Sequence, residues 1–328
     1  MCVMHLGERV VVPASHVVEG SGRLARMTHT PRFASVDDVR ERLAAHGYLA
    51  SDAIATTVYL ADQLGKPLLI EGPAGVGKTA LSAAVSAATD GELVRLQCYE
   101  GVDEARALYE WNHAKQLLRI TAAGAHHDSR GADEADWTSV KEDIFTDEFL
   151  LSRPLLTAIR NEHPTVLLID ELDKADVEIE GLLLEVLSDF QVTVPELGTI
   201  RASQTPFVVL TSNATRELSE ALRRRCLYLH IDYPEAELER RIVALSVPGL
   251  EDALADSIVR LVGALRRMRL RKSPSVAETI DWARTLVSLG AGDEPDPQLV
   301  RATLGVVLKH REDIDMAIEQ LDLDRALV

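Results

Sequence analysis

Short apolar runs, each closing on polar or glycine-rich punctuation, recur along the first two thirds of the chain, and longer runs of helical period take over in the last third. The strand-like runs are Lys66-Pro-Leu-Leu-Ile-Glu71, Val94-Arg-Leu-Gln97, Thr165-Val-Leu-Leu-Ile169, Pro206-Phe-Val-Val-Leu-Thr-Ser-Asn213 and Leu227-Tyr-Leu-His-Ile231. The runs at 165–169 and 206–213 are rich in aliphatic and β-branched residues, the pattern of strands buried on both faces. Val36–Ala45 predicts a helix that starts near Ser35 with acids in its first turn. Ala80-Leu-Ser-Ala-Ala-Val-Ser-Ala-Ala88 is composed of strong helix formers. Phe190-Gln-Val-Thr-Val194 and Thr199-Ile-Arg201, joined by Pro195-Glu-Leu-Gly198, predict a hairpin near 190–202. Beyond Pro248 the helical period governs Leu254–Met268, Val276–Leu289 and Pro297–Lys309, with breaks at Ser273-Pro274 and Gly290–Pro295. The order predicts an α/β core over 35–247 and a small helical domain over 248–328. Residues 1–34 form an N-terminal extension without clear periodicity.

The punctuation after the first strand carries the strongest chemical signal. Gly72-Pro73-Ala74-Gly75-Val76-Gly77-Lys78-Thr79 fits the pattern G-x-x-x-x-G-K-[ST] between a strand and a helix. Backbone N–H groups in such a turn converge on phosphate oxygens, and the helix N-terminus beneath adds its positive end. Lys78 then reaches the β and γ phosphates, and Thr79 supplies a hydroxyl to a magnesium ion. A plain glycine-rich surface turn is the alternative, and the flanking strand and helix argue against it.

A second apolar run ends in Asp170-Glu171. Asp170 is placed to hold hydrated magnesium, and Glu171 to polarise the water that attacks the γ-phosphate. Phosphoryl transfer to another molecule is the rival chemistry, and its usual nucleotide-fold forms do not need this acidic pair. A third run closes on Asn213, which is able to orient that water. Glu217-Leu-Ser-Glu-Ala-Leu-Arg-Arg-Arg225 reads as an acidic amphipathic helix ending in three arginines. These either cap the helix or supply an arginine finger to a neighbouring subunit.

This order of parts resembles the AAA+ ATPases over roughly residues 35 to 325. Within them it is most similar to the MoxR group, and especially to the CoxD-like accessory ATPases of CO dehydrogenase and molybdenum hydroxylase maturation. Leu69–Thr79 and Leu168–Lys174 are shared widely. Leu96-Gln-Cys-Tyr-Glu-Gly101 with Ala107-Leu-Tyr-Glu-Trp-Asn112, and Ser273–Arg284, narrow the resemblance. It implies an AAA+ P-loop core, a parallel sheet flanked by helices, followed by a helical lid. It also implies ATP and Mg2+ as ligands, with Gly72, Gly75, Gly77, Lys78 and Thr79 as phosphate cradle, Asp170 and Glu171 as metal-binding and water-activating pair, and Asn213 as sensor. Arg225 is the choice of finger, because it directly precedes the next strand; Arg224 and Arg223 stay open. Many relatives carry a lid arginine after Ser-Pro where this chain has Ser275, and Lys272 or Arg284 are the candidates to replace it. The resemblance further implies a homo-oligomeric ring, a hexamer, that remodels a client protein. It implies a von Willebrand A domain partner and, on the CoxD-like branch, a molybdenum enzyme as client.

Composition narrows the alternatives. With 328 residues, 46% of them hydrophobic, the chain is long enough for such a core plus a smaller domain. A formal net charge of −17, with basic residues gathered mainly at Arg223–Arg225 and Arg266–Lys272, argues against a nucleic-acid motor. A nucleotide-dependent switch with little turnover is the other alternative, and Glu171 speaks against it. Cys2, Cys98 and Cys226 lack metal or disulfide spacing, and neither a spanning apolar stretch nor a secretory signal stands out, so a cytoplasmic, reducing location is expected. Translation starts at Met1 or at Met27. In the long segment 98–150, the polar stretch from His126-His127 reads as an exposed insertion, its histidines unliganded. Tyr99, Tyr109 and Trp111 are either buried or available to grip a polypeptide in a ring pore.

Overall fold

In the computed structural model, residues 30–126 and 143–321 are described. The strands are β1 (Leu68–Glu71), β2 (Glu92–Gln97), β3 (Tyr109–Trp111), β4 (Leu150–Ser152), β5 (Thr165–Asp170), β6 (Gln191–Val194), β7 (Gly198–Arg201), β8 (Phe207–Ser212) and β9 (Leu227–His230). Five of them form one sheet in the order β2-β5-β8-β1-β9, every neighbouring pair parallel. β5 and β8 are buried at every position, as strands covered by helices on both faces must be. Side chains alternate between two apolar clusters: Leu167 and Ile169 enter one, Val166 and Leu168 the other. Because β5, β8 and β1 are adjacent and parallel, their C-terminal ends emerge side by side. That rim carries the glycine-rich loop, the acidic pair and Asn213.

The predicted elements are present with end shifts of a few residues. The helix Val36–Ala45 starts on Ser35, whose side chain accepts from Asp38 N–H. The hairpin is β6–β7, with Val194 opposite Gly198. The arginine-rich helix is much shorter than its sequence pattern, covering Glu220–Arg223 only. Ser219 caps it by accepting from Leu222 N–H, and Leu218 before it is buried in the core. The segment 98–150 contains a short helix, Glu104–Ala107, the antiparallel pair β3–β4, and a helix over His113–His126. The polar stretch beyond His126, like Met27 and Cys2, lies outside the described residues.

A third apolar cluster is built by the C-terminal helices Ala236–Ser246, Asp252–Arg266, Val276–Ser288, Pro297–Val307 and Arg311–Gln320. Trp282 is fully buried at its centre and donates from Nε1 to Thr303 Oγ1 at 2.8 Å, so its one polar group is satisfied. The helix Val276–Ser288 begins with a reciprocal capping box between Ser275 and Glu278. Among the described residues no helix is long and apolar enough to cross a membrane.

Candidate active site

The loop 72–77 turns sharply between β1 and the helix Lys78–Ala88. Gly72 has φ 152°, and a Cβ there would lie 1.9 Å from the carbonyl oxygen of Ile231, so the chain after β9 leaves no room for a side chain. Gly75 has φ 76°, and a Cβ there would meet Ser275 Oγ at 2.4 Å. Ala277 N–H donates to Gly75 O at 3.3 Å, so the N-terminus of a C-terminal-domain helix rests directly on the loop.

Lys78 is buried, and its ammonium donates to Gly72 O at 2.6 Å, Pro73 O at 2.7 Å and Asn213 Oδ1 at 2.8 Å. Burial holds its pKa below the ordinary lysine value, against the opposite pull of Asp173, Asp170 and Glu171. Asn213 therefore joins the rim of β8 to the loop after β1. Its own backbone N–H donates to Asp173 Oδ1 at 3.1 Å, while Thr215 donates to Asp173 Oδ2 from both N and Oγ1.

Thr79 and Asp170 meet one helical residue further on. Thr79 Oγ1 lies 3.1 Å and 3.3 Å from the two Asp170 carboxylate oxygens, and Thr211 Oγ1 donates to Asp170 Oδ1 at 2.5 Å. Arg95 from β2 also donates to Asp170 Oδ2. A hydroxyl and a carboxylate converging at one point form the hard-oxygen set that suits Mg2+, which takes one or two protein ligands beside phosphates and water. These residues fit the ion.

Glu171 stands one residue beyond, in a left-handed conformation with φ 55° and ψ 46°. Such a backbone is rare for a non-glycine residue and is retained where surrounding contacts fix it. Here Glu171 N–H donates to Thr211 Oγ1 at 2.9 Å, and the side chain accepts from Gln97 Nε2 at 2.9 Å and Lys174 Nζ at 2.7 Å. The turn aims the carboxylate away from Asp170, toward Gln97 on the neighbouring strand.

Gly75, Lys78, Thr79, Arg95, Gln97, Asp170, Glu171, Thr211 and Asn213 line one cavity of about 900 Å³. Its polar end holds Lys78, Thr79, Asp170, Glu171 and Asn213; its apolar end is formed by Tyr48, Ile54, Ile231, Tyr233, Leu238 and Ile280. A phosphate-binding rim continuous with an apolar slot suits a nucleotide triphosphate with its base. Burial pushes the Tyr48 phenol up, so it stays neutral here.

The other candidates are dispersed. Arg223 turns into its own chain, pairing with Glu71 Oε1 at 2.6 Å. Arg224 is exposed and pairs with Glu220 at 3.0 Å, and Arg225 is exposed and donates to Ser188 Oγ and Ala221 O. Lys272 pairs with Glu278 at 3.0 Å, and Arg284 with Asp281 at 3.6 Å; neither lines the cavity. Arg266 is half-buried and forms a two-pronged pair with the buried Glu239 at 2.6 Å and 2.8 Å, so part of the basic run 266–272 turns inward. Tyr99 is exposed and accepts from Arg106, whereas Tyr109 and Trp111 are half-buried and stack edge to face at 6.5 Å. Arg95, Gln97, Thr211, Asp173 and Lys174 went unread as site residues. The recurrent polar positions at the ends of buried strands, Arg95-Leu-Gln97 and Thr211-Ser-Asn213, were the available signal.

Residues 67–226 match the AAA domain family, dynein-related subfamily. The stretch runs from the start of β1 to the start of β9 and so contains the whole polar rim. The fold is a P-loop core of parallel strands flanked by helices, followed by further C-terminal helices, and the matched stretch lies within that core. An uncharacterized protein of Staphylococcus haemolyticus is 25% identical over 233 residues, covering 69% of this chain and 77% of the relative. Its counterpart in Staphylococcus aureus is 24% identical over the same shares. Among solved structures, a mutant of RuvB from Thermotoga maritima aligns with 18% identity and a TM-score of 0.45, covering 84% of this chain and 71% of that one. The RuvB Holliday junction branch migration motor of the same organism aligns with 17% identity and a TM-score of 0.40, over 84% and 72%.

Proposed function

We propose that the protein is a MoxR-type AAA+ ATPase that hydrolyses ATP with Mg2+ in a cytoplasmic ring, a hexamer, to remodel or mature a client protein. The observation that carries the catalytic part is the convergence of Thr79 and Asp170 at 3.1 Å beside Lys78 and Glu171 in one cavity. The loop 72–77 binds the phosphates through its N–H groups, and Lys78 exchanges its carbonyl partners for phosphate oxygens. Thr79 and Asp170 would hold the magnesium, which would supply positive charge to the phosphate oxygens. Glu171 accepts a proton from the attacking water, and Asn213, already bonded to Lys78, orients the γ-phosphate end. Arg225 is the finger offered to a neighbouring subunit; its exposure supports this choice over Arg223, which is bound to Glu71. The domains are 35–247 and 248–328, and the contact of Ala277 with Gly75 is the path from nucleotide state to lid motion.

A CoxD-like role in maturing a molybdenum hydroxylase or CO dehydrogenase-like enzyme, with a von Willebrand A domain partner, rests on the sequence segments 96–112 and 273–284. One contact favours a second reading, a nucleotide switch with little turnover: Lys174 neutralises Glu171 at 2.7 Å. Mixing Glu171→Gln with Arg225→Ala separates the two. Each variant alone is inactive in a ring with shared sites, and the mixture regains a measurable fraction of the wild-type rate. Absence of any regain would remove Arg225 as a shared finger. Negligible turnover by wild type, with ATP still bound, would leave the switch.

A further inference from the structure

Arg95 is the one cation paired with Asp170 among the described residues, and its position follows from strand register. β2 and β5 are parallel with Arg95 opposite Leu168 and Gln97 opposite Asp170. Alternation puts Val94 and Leu96 in the core and turns Arg95 and Gln97 to the other face, the one that leads to the cavity. The guanidinium of Arg95 bonds Asp170 Oδ2 and Gln97 Oε1, and Gln97 in turn donates to Glu171. Asp170 is almost fully buried, 4% exposed at its side chain, whereas Arg95 is 51% exposed. A buried carboxylate is costly without a counter-charge, and here the neutralising group is a long, half-exposed side chain that is free to leave.

We infer that Arg95 is the resident cation of the magnesium site and, once displaced, a catalytic residue at the γ-phosphate. This rests on the reading of Asp170 as a metal ligand. An Mg2+ ion held by Asp170 would compete with the guanidinium for this carboxylate, so its binding would release Arg95. Gln97 keeps the freed group beside Glu171, where the charge of the transferring phosphoryl group develops. Arg95, which lines the cavity, then supplies from within the chain a cation at the γ-phosphate. Binding of metal and arming of the site become one event.

Manganese(II) is a suitable probe, followed by electron paramagnetic resonance in the nucleotide-free protein and paired with steady-state ATPase kinetics. Arg95→Ala should bind Mn2+ about tenfold more tightly than wild type, because its competitor is gone. Its kcat should fall about a hundredfold with little change in KM for ATP. Arg95→Lys, which keeps a charge without the planar fork, should hold Mn2+ affinity near wild type and recover part of kcat. Asp170→Asn is the control on the site. If it binds Mn2+ as wild type does, the metal site is elsewhere and both ideas fall. If it loses Mn2+ but Arg95→Ala binds the ion no more tightly than wild type, or binds it tightly with an unchanged kcat, the role of Arg95 is overturned and the metal site stands. An unchanged circular dichroism spectrum and ADP affinity exclude misfolding as the cause.

Discussion

Asn213 shows how much one side chain does in this site. It bonds the Lys78 ammonium at 2.8 Å while its own N–H is anchored on Asp173, so it couples the end of β8 to the phosphate loop. A hydrogen bond to a charged group contributes about 1.5–3 kcal/mol, and Asn213→Ala should lower kcat for ATP by about tenfold or more while leaving the fold intact. Kinetics within threefold of wild type would show that Lys78 needs no such partner. Lys78, Thr79, Asp170, Glu171 and Asn213 were legible in the sequence because each sits at a fixed offset from a strand end. Arg95 and Gln97 were not, since only the β2–β5 register brings them to Asp170 and Glu171, more than 70 positions away. Ordering of the three arginines was equally hidden. Arg223 is drawn inward by Glu71, a residue 152 positions earlier that no local pattern connects to it.

At the scale of elements, the buried strands and the lid helices were read nearly to their ends, because their burial is regular: β5 and β8 on both faces, Val276–Ser288 on one. Elements whose pattern is broken by a local cap or by tertiary contacts depart from that regularity. The helix read over 217–225 shrinks to Glu220–Arg223 because Ser219 caps it and Leu218 must turn into the core. Helices Ala236–Ser246 and Arg311–Gln320 were not anticipated, their buried positions being few and shared with charged Glu239 and Asp313. Trp282 is fully buried within the apolar cluster of the C-terminal helices. Trp282→Ala leaves a cavity, a loss of about 3–5 kcal/mol in the stability of the C-terminal helices, while the Thr303 hydroxyl keeps Leu299 O and Val300 O as acceptors. Thermal unfolding should then show an early transition for the C-terminal helices; a single unshifted transition would mean that the lid does not depend on this side chain.

Over the whole molecule, two buried carboxylates, Asp173 and Glu180, tie the end of β8 and the arginine-bearing turn to the core. Burial pushes Asp173 up, but hydrogen bonds from Thr215 and Asn213 outweigh it and hold the carboxyl below its ordinary value. Burial also pushes Glu180 up, and bonds from Ser219 and Arg216 again outweigh it. A carboxyl whose folded pKa lies below its unfolded one binds fewer protons in the fold. Its stabilisation is complete above the unfolded value and fades as pH falls through the folded one. Urea midpoints should therefore hold between pH 7 and pH 5, as far as these two groups decide, and decline below about pH 4. Asp173→Asn should shallow that decline, and an identical slope would remove Asp173 from the account.

The proposed function places ATP hydrolysis in the cavity lined by the β-strand ends, with Glu171 as base. Steady-state hydrolysis by wild type and Glu171→Gln, alongside ATP affinity measured directly for both, tests it. Equal or tighter ATP binding by Glu171→Gln and a kcat lower by about a hundredfold or more are expected. Equal turnover by the two proteins would contradict it, because the proton would then leave by another route.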